Sequence, residues 1–418
     1  MEMDRREFFK RIGILSGGII IYCNLGDKLL SAAQSPQMPG FGNTPTDYNA
    51  FLRIGTDERV TCFIGKIEMG QGTITSFPQI VAEELDVAYE SVDMVMGDTD
   101  LCPYDFGTVG STSIRMVGPQ VRNASCEARG VLKELASGYL KCPVERLETE
   151  RGVVFDKADP GKKVTYGTLT KGKIIERHLK ELPPLTSPSE FVFMGKPYFH
   201  QDALVKVTGR AGFAGDFRLP GMLYASVLRP PAHGAKLKNV DVSEAKNLKD
   251  VLVVRDNDLI AVLHELPDEA RKALTKIKAE YDMPGSGLDD RTIYDHLVKV
   301  PVEPRTLNQE GDVAKGRGLA KEIFEETYLG PYVAHAPLET HTAVANMENG
   351  KVTVWSSTQA PFPLQESIAG TLGLAKEKVR VTTPFVGGGF GGKGSPPDTN
   401  MESIEAARLA VLTGKPVQ

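Results

Sequence analysis

Cysteine is scarce. The 418 residues contain five (Cys23, Cys62, Cys102, Cys126 and Cys142) and no CxxC spacing, which argues against a zinc or iron–sulfur site built by this sequence and leaves no disulfide framework legible. An excess of positive charge is also missing. Forty-nine basic against 54 acidic residues give a formal net charge of −5, so nucleic acid is a poor partner for the bulk surface. No repeat of solenoid period and no low-complexity tract is present. What is abundant is ordinary globular composition, 41% hydrophobic and 25% charged, which excludes a disordered or collagen-like chain. Glycine stands out: 42 residues, above the ~7% norm, several of them clustered, as expected where backbone approaches a ligand closely. At ~150 residues per domain the length suggests two or three domains.

The first 33 residues read as an address. Asp4-Arg5-Arg6-Glu7-Phe8-Phe9-Lys10 precedes an apolar stretch from Ile12 to Cys23 and then Ser31-Ala32-Ala33, the order of a charged region, a short apolar region and a small-residue cleavage site. The apolar part is shorter than the ~20 residues a membrane-crossing helix needs. The paired arginines resemble the twin-arginine signal that exports folded proteins, often with a cofactor inserted. That implies a periplasmic location, with membrane association as a further option and Ala33 the last residue removed. The bland rival is a frayed basic terminus.

Beyond a Gly/Pro/Asn/Thr-rich spacer, hydrophobic periodicity predicts a strand at Val60–Ile64, a helix at Gln79–Leu85, a strand over Val92, Met94 and Met96, and a long helix carrying Val121, Ala124, Ala128, Leu132, Leu135 and Tyr139 on one face. Leu182 to Ser189, with three prolines, reads as a linker. A second block has short β runs at Leu223–Leu228, Val251–Val254 and Ile260–Leu263, then a helix opened by Pro267-Asp268-Glu269. A third has strands at Val352–Trp355 and Val379–Val381 and helices at Gln365–Leu374 and Glu402–Leu412, the latter closed by Gly414. Lys415-Pro-Val-Gln418 reads as the start of a strand, so the expectation is that another chain completes the fold or that the sequence is partial. The fold class expected is α+β, a mixed multidomain arrangement.

Gly387-Gly-Gly-Phe390-Gly-Gly392-Lys393 follows a predicted strand, so its amides are placed to meet an anion or a polar cofactor. It satisfies GxGxxG formally, but Pro396-Pro397 interrupts the helix that a dinucleotide fold requires. It nearly satisfies the P-loop pattern, but Gly394 stands where a Ser or Thr should hold magnesium. A flexible glycine hairpin is the structural alternative, weakened by the phenylalanine among the glycines.

Taken with Trp355-Ser-Ser-Thr-Gln359 and His335-Ala-Pro-Leu-Glu339, that loop resembles the large molybdenum-binding subunit of the xanthine dehydrogenase and aldehyde oxidase superfamily. Gly209-Arg210-Ala211, Asp216, Pro220-Gly-Met-Leu-Tyr224 and Arg229-Pro-Pro-Ala-His233 are similar to the family's α/β hammerhead domain. Glu68-Met-Gly-Gln-Gly72 and Gly110-Ser-Thr-Ser113, placed ahead of the hammerhead, resemble the isoquinoline 1-oxidoreductase β-subunit branch. The resemblance implies four parts: a signal over 1–33, a molybdopterin-binding segment over 45–182, a hammerhead domain over 195–283, and the first part of a further molybdopterin-binding domain over 312–418.

It also implies chemistry. A molybdenum–pterin cofactor, with a cytosine dinucleotide in bacterial members, oxidises an electrophilic carbon with oxygen from water, and [2Fe–2S] clusters on a partner take the electrons. By resemblance Gln359 donates to the apical oxo ligand. The backbone of Gly389, Phe390 and Gly391 approaches the cofactor, and Gln71 between Gly70 and Gly72 bonds the pterin edge. Gly110, Ser111, Thr112 and Ser113 meet a phosphate. No protein side chain ligates the metal, which the dithiolene holds. Each role has a plain rival: a strand cap for Gln359, a turn for Gln71, a loop for the Ser/Thr cluster. His335 and His341 are read as structural hydrogen-bonding groups.

Two departures stand out. The family's catalytic glutamate, in a Gly-Glu motif, has no equivalent, since Glu402 and Glu405 belong to the terminal helix. Gly394 stands where xanthine-oxidising members have a glutamate, which favours an aldehyde or N-heteroaromatic substrate over a purine. The expectation is therefore a split enzyme, inactive alone. Its partners would be an iron–sulfur subunit, a second chain with the remaining half and the base, and a cytochrome c as an optional carrier. A non-catalytic cofactor-binding or scaffold remnant is the alternative.

Overall fold

The computed structural model describes residues 18–22, 51–171, 179, 182–285, 287–303, 305–306, 308–396 and 399–418. Most of the predicted signal, including both arginines and Ala33, lies outside the described residues. Within it, the backbone of β1 (Gly18–Tyr22) pairs antiparallel with β2 (Phe51–Gly55).

β3 (Val60–Ile64) continues the antiparallel pairing, and β4 (Val92–Met96) joins it in parallel. A parallel neighbour needs a crossover. Helix α1 (Thr73–Leu85) provides it, starting from Gly72 in the left-handed conformation and ending at Asp86 in the same region. The predicted helix began six residues too late, because the glycines, threonines and Pro78 of its first turns read as loop. Helix α2 (Gly118–Leu140) matches its prediction and buries Val121, Ala124, Ala128 and Leu132. Tyr139, assigned to the same face, is exposed instead. The apolar face of α2 packs on α1 and on an antiparallel meander, β5 (Leu147–Glu150), β6 (Val153–Asp156) and β7 (Asp159–Thr165). Together these elements enclose one core of Leu52, Ile54, Val60, Phe77, Val81, Leu85, Leu132, Val154 and Tyr166.

The chain after α2 is tied down rather than loose. Glu84 accepts from the Thr186 amide at 3.2 Å and the Arg122 guanidinium at 2.7 Å, and Glu83 accepts from the amides of Val192, Phe193 and Met194 at 3.0, 2.7 and 2.9 Å.

The middle block has β8 (Tyr224–Val227), β9 (Lys236–Asp241), β10 (Leu252–Asp256), β11 (Leu259–His264) and β12 (Lys278–Asp282), arranged as a β10-β11-β8 sheet and a separate β12-β9 pair, with helix α3 at Pro267–Leu274.

The last block has β13 (Ala343–Glu348), β14 (Lys351–Ser356) and β15 (Val379–Thr382) in that order. Asn349 and Gly350, both at positive φ, make the tight turn of the first hairpin. Helix α4 (Pro361–Leu372) crosses to the parallel β15, and α5 (Met401–Thr413) packs on β13 and β14. Val417 bridges Leu223 and Ala345, so the middle and last blocks share a core of Leu259, Leu263, Val354, Val381, Ala407 and Val417. At the other edge the chain after β4 runs beside β15, with Thr99 N–H on Val381 O at 2.9 Å and Thr383 N–H on Gly97 O at 3.0 Å. The result is a mixed helix and strand architecture, α+β as expected from the sequence.

Candidate functional site

Thr108 is where the predicted site segments meet. It is buried, its hydroxyl accepts from the Ile67 amide at 2.9 Å, its N–H donates to Gln359 O at 2.8 Å, and its carbonyl accepts from Gln359 Nε2 at 2.9 Å. Gln359 follows the end of β14 and is itself buried. Its N–H donates to Lys393 O at 2.7 Å, and its Oε1 accepts from the Gly391 amide at 3.0 Å. One of the two Nε2 hydrogens is used by Thr108, and the other remains. The two glycine loops also touch, through the Val386 amide on Glu68 O at 3.3 Å.

The loop after β15 explains its own composition. A Cβ on Gly389 would lie 2.3 Å from Gln359 Oε1, nearer than any real contact, so only glycine lets the main chain reach the glutamine. Phe390 adopts φ 55° and is 72% exposed; an aromatic residue there is a costly outlier, of the sort found at functional sites. The amides of Gly388, Gly389 and Phe390 have no hydrogen-bond acceptor among the described residues. Positive φ at Gly388, Phe390 and Gly391 folds the loop tightly, and turns of this kind can bring neighbouring amides to bear on an anion or polar group.

The first loop is organised by Glu68. Its buried carboxylate accepts from the amides of Gly70, Gly72 and Ile74 at 2.8, 3.1 and 3.0 Å and from the Thr73 hydroxyl at 3.1 Å. Gln71 is exposed, and its amide bonds back into the loop, Oε1 to the Met69 amide and Nε2 to Ile67 O, both at 2.8 Å. One Nε2 hydrogen is left there too. Gly110 and Ser111, at φ 61° and 55°, turn the chain toward α2. Thr112 donates its hydroxyl to Val109 O at 2.6 Å, whereas the hydroxyls of Ser111 and Ser113 have no partner among the described residues.

Several residues that hold the site were not foreseen. Lys66 is fully buried and donates to Asp105 Oδ1 at 2.9 Å and Gly107 O at 2.7 Å, beside the Phe106 ring. Burial pushes the Asp105 carboxyl above the usual range despite the pull of Lys66. Lys393, also fully buried, pairs with Glu339 at 2.8 Å. Lys393, Glu339 and Glu68 all stand inside motifs already noted, and their signal was a charge embedded among glycines and apolar residues. His335 is exposed beside Gly391 and Gly392 and makes no hydrogen bond among the described residues, contrary to its structural reading. His341 lies 3.9 Å from Glu402, whose carboxyl is pushed up by burial, and Glu405 is paired with Arg229. Both glutamates sit on α5, as expected.

The donor set fits a molybdopterin. It offers free main-chain amides, two glutamines with a spare N–H each, two free hydroxyls and bare glycine backbone.

Residues 25–201 and residues 298–418 each match a molybdopterin cofactor-binding domain. A nicotinate dehydrogenase component of Pseudomonas putida is 31% identical over 364 residues, covering 84% of this chain and 30% of its own. The chain belongs to the xanthine dehydrogenase and aldehyde oxidase family. Within that family, the β-subunit of isoquinoline 1-oxidoreductase of Brevundimonas diminuta is 27% identical over 436 residues (88% of this chain, 53% of the relative), and the large molybdopterin subunit of nicotinate dehydrogenase of Eubacterium barkeri is 30% identical over 264 (55% and 61%). The chain spans less than two thirds of the length of each of these family members.

Proposed function

We propose that this chain forms the cofactor-holding part of a molybdenum hydroxylase that oxidises an aldehyde or N-heteroaromatic carbon. The observation that carries this reading is the junction at Thr108. Gln359 is pinned there from both sides and still has one N–H to give, next to a loop with three free amides. When bound, the molybdenum–pterin group supplies the two-electron acceptor for hydroxylation with oxygen from water.

The chain's own residues do the positioning. Gly388–Phe390 would present amides, Gln359 would donate its remaining side-chain N–H toward the cofactor, and Gln71 would supply a second side-chain amide at the first loop. Ser111 and Ser113 offer hydroxyls, with Gly110 and Thr112 shaping their turn, to the phosphates of a cytosine dinucleotide form. Fixed donors stabilise developing negative charge without reorganising.

The general base, the remaining pocket walls and the [2Fe–2S] clusters are assigned to parts of the assembly outside these residues: the rest of the large subunit, an iron–sulfur subunit, and a cytochrome c as optional acceptor. Arg5-Arg6 and the short apolar stretch support twin-arginine export to the periplasm. Turnover of an N-heteroaromatic or aldehyde by the purified native assembly in 18O-labelled water tests the reaction class. Label in the product is expected, and unlabelled product, or label only from O2, excludes it.

A further inference from the structure

One carboxylate closes the second glycine loop at both ends. Glu339 Oε2 accepts from the Gly387 amide and from the Lys393 ammonium, each at 2.8 Å, and the Glu339 N–H donates back to Gly387 O at 3.1 Å. Lys393 is fully buried and the Glu339 side chain 12% exposed, with Oε1 shielded from solvent and lacking a hydrogen-bond partner. A buried ion pair is a weak source of stability in itself, and an unsatisfied buried oxygen is a cost.

Geometry is what the pair does provide. It brackets five residues, four of them glycine, which would otherwise sample many backbone states. Inside the bracket lie the three free amides and the strained Phe390. Lys393 O also receives the Gln359 N–H, so the same lysine sets the spacing between loop and glutamine.

We propose that Glu339 and Lys393 are positioning residues for the cofactor. Their ion pair holds the amides of Gly388–Phe390 and the side chain of Gln359 in the single arrangement that grips the molybdenum-bearing group. The proposal rests on the functional reading above, and it assigns to these two residues a role that acts through the loop rather than by touching the reacting atoms.

The test uses the native assembly carrying Glu339→Gln, Lys393→Met or Glu339→Asp, with molybdenum content, the Mo(V) electron paramagnetic resonance spectrum, kcat and KM as readouts. The glutamine and methionine variants are expected to shift the Mo(V) spectrum and to lower kcat roughly tenfold to a hundredfold, as small misplacements do, with KM changed less than about threefold. Glu339→Asp, which keeps the charge, is expected to recover part of both. A folded Glu339→Gln assembly with wild-type molybdenum, spectrum and kcat overturns the proposal. If that variant does not assemble, Lys393→Met decides: an altered spectrum supports the role, and wild-type molybdenum content, spectrum and kcat remove it. Absence of molybdenum from the wild-type assembly is a separate result that sinks the functional reading, and this inference with it.

Discussion

At Gln359 a single side-chain amide joins three segments, accepting from Gly391, donating to Thr108 and keeping one hydrogen free. Replacing it removes that donor without opening the backbone contacts, because its own N–H and C=O bind Lys393 and Thr108 regardless of the side chain. Gln359→Ala is therefore expected to lower turnover about a hundredfold, the scale of losing one preorganised donor, while molybdenum remains bound. Steady-state kinetics beside metal analysis checks this, and unchanged turnover removes the role. At this scale the sequence was informative about type and poor about partners. Gln71, Gln359 and the glycines stood out as candidate ligand-facing positions, and the structure brings Gln359 against the second glycine loop. Lys66, Glu68, Glu339 and Lys393 were not singled out, because charged residues are exposed by default; only the fold shows Lys66 and Lys393 fully buried in ion pairs with Asp105 and Glu339, and Glu68 buried under hydrogen bonds from its own loop.

Among the elements, those with clean periodicity were legible: β3, β4, β14, β15 and α5 lie within a residue or two of their predicted positions, and α2 contains every residue assigned to it. The meander was not, since six of the seven residues of β7 are exposed or half-buried and its pattern carries no apolar alternation. The pair β9 and β12 failed for the same reason. Helix α1 was half-read, and its hidden function is anchoring. Glu83 is buried on α1 and binds three successive amides of Val192–Met194, which carry the chain back past the first glycine loop, where His200 packs against Gly72. Glu83→Ala leaves those amides without their acceptor. It is expected to cost about 3 kcal/mol and to raise hydrogen exchange at residues 192–194 while α2 keeps its protection. Unaltered exchange there contradicts the anchoring role.

For the whole molecule, the defining feature is that the two molybdopterin-binding matches, separated by nearly a hundred residues of the middle block, come together at one place. Hydrogen bonds of Thr99 and Thr383 close the seam between them, and Arg380 holds Asp98 across it at 3.1 Å. No single stretch of sequence displays that convergence, because it depends on where β4 ends relative to β15. Periodicity reports elements one at a time, whereas this contact is set by the packing of two sheets.

What that junction holds decides the function of the molecule. Quantitative metal analysis of the purified native assembly, combined with identification of the nucleotide released on mild acid hydrolysis, addresses it most directly. Molybdenum in stoichiometric proportion to this chain together with a cytosine nucleotide is expected, and an intact assembly with neither molybdenum nor pterin would contradict the cofactor-holding role.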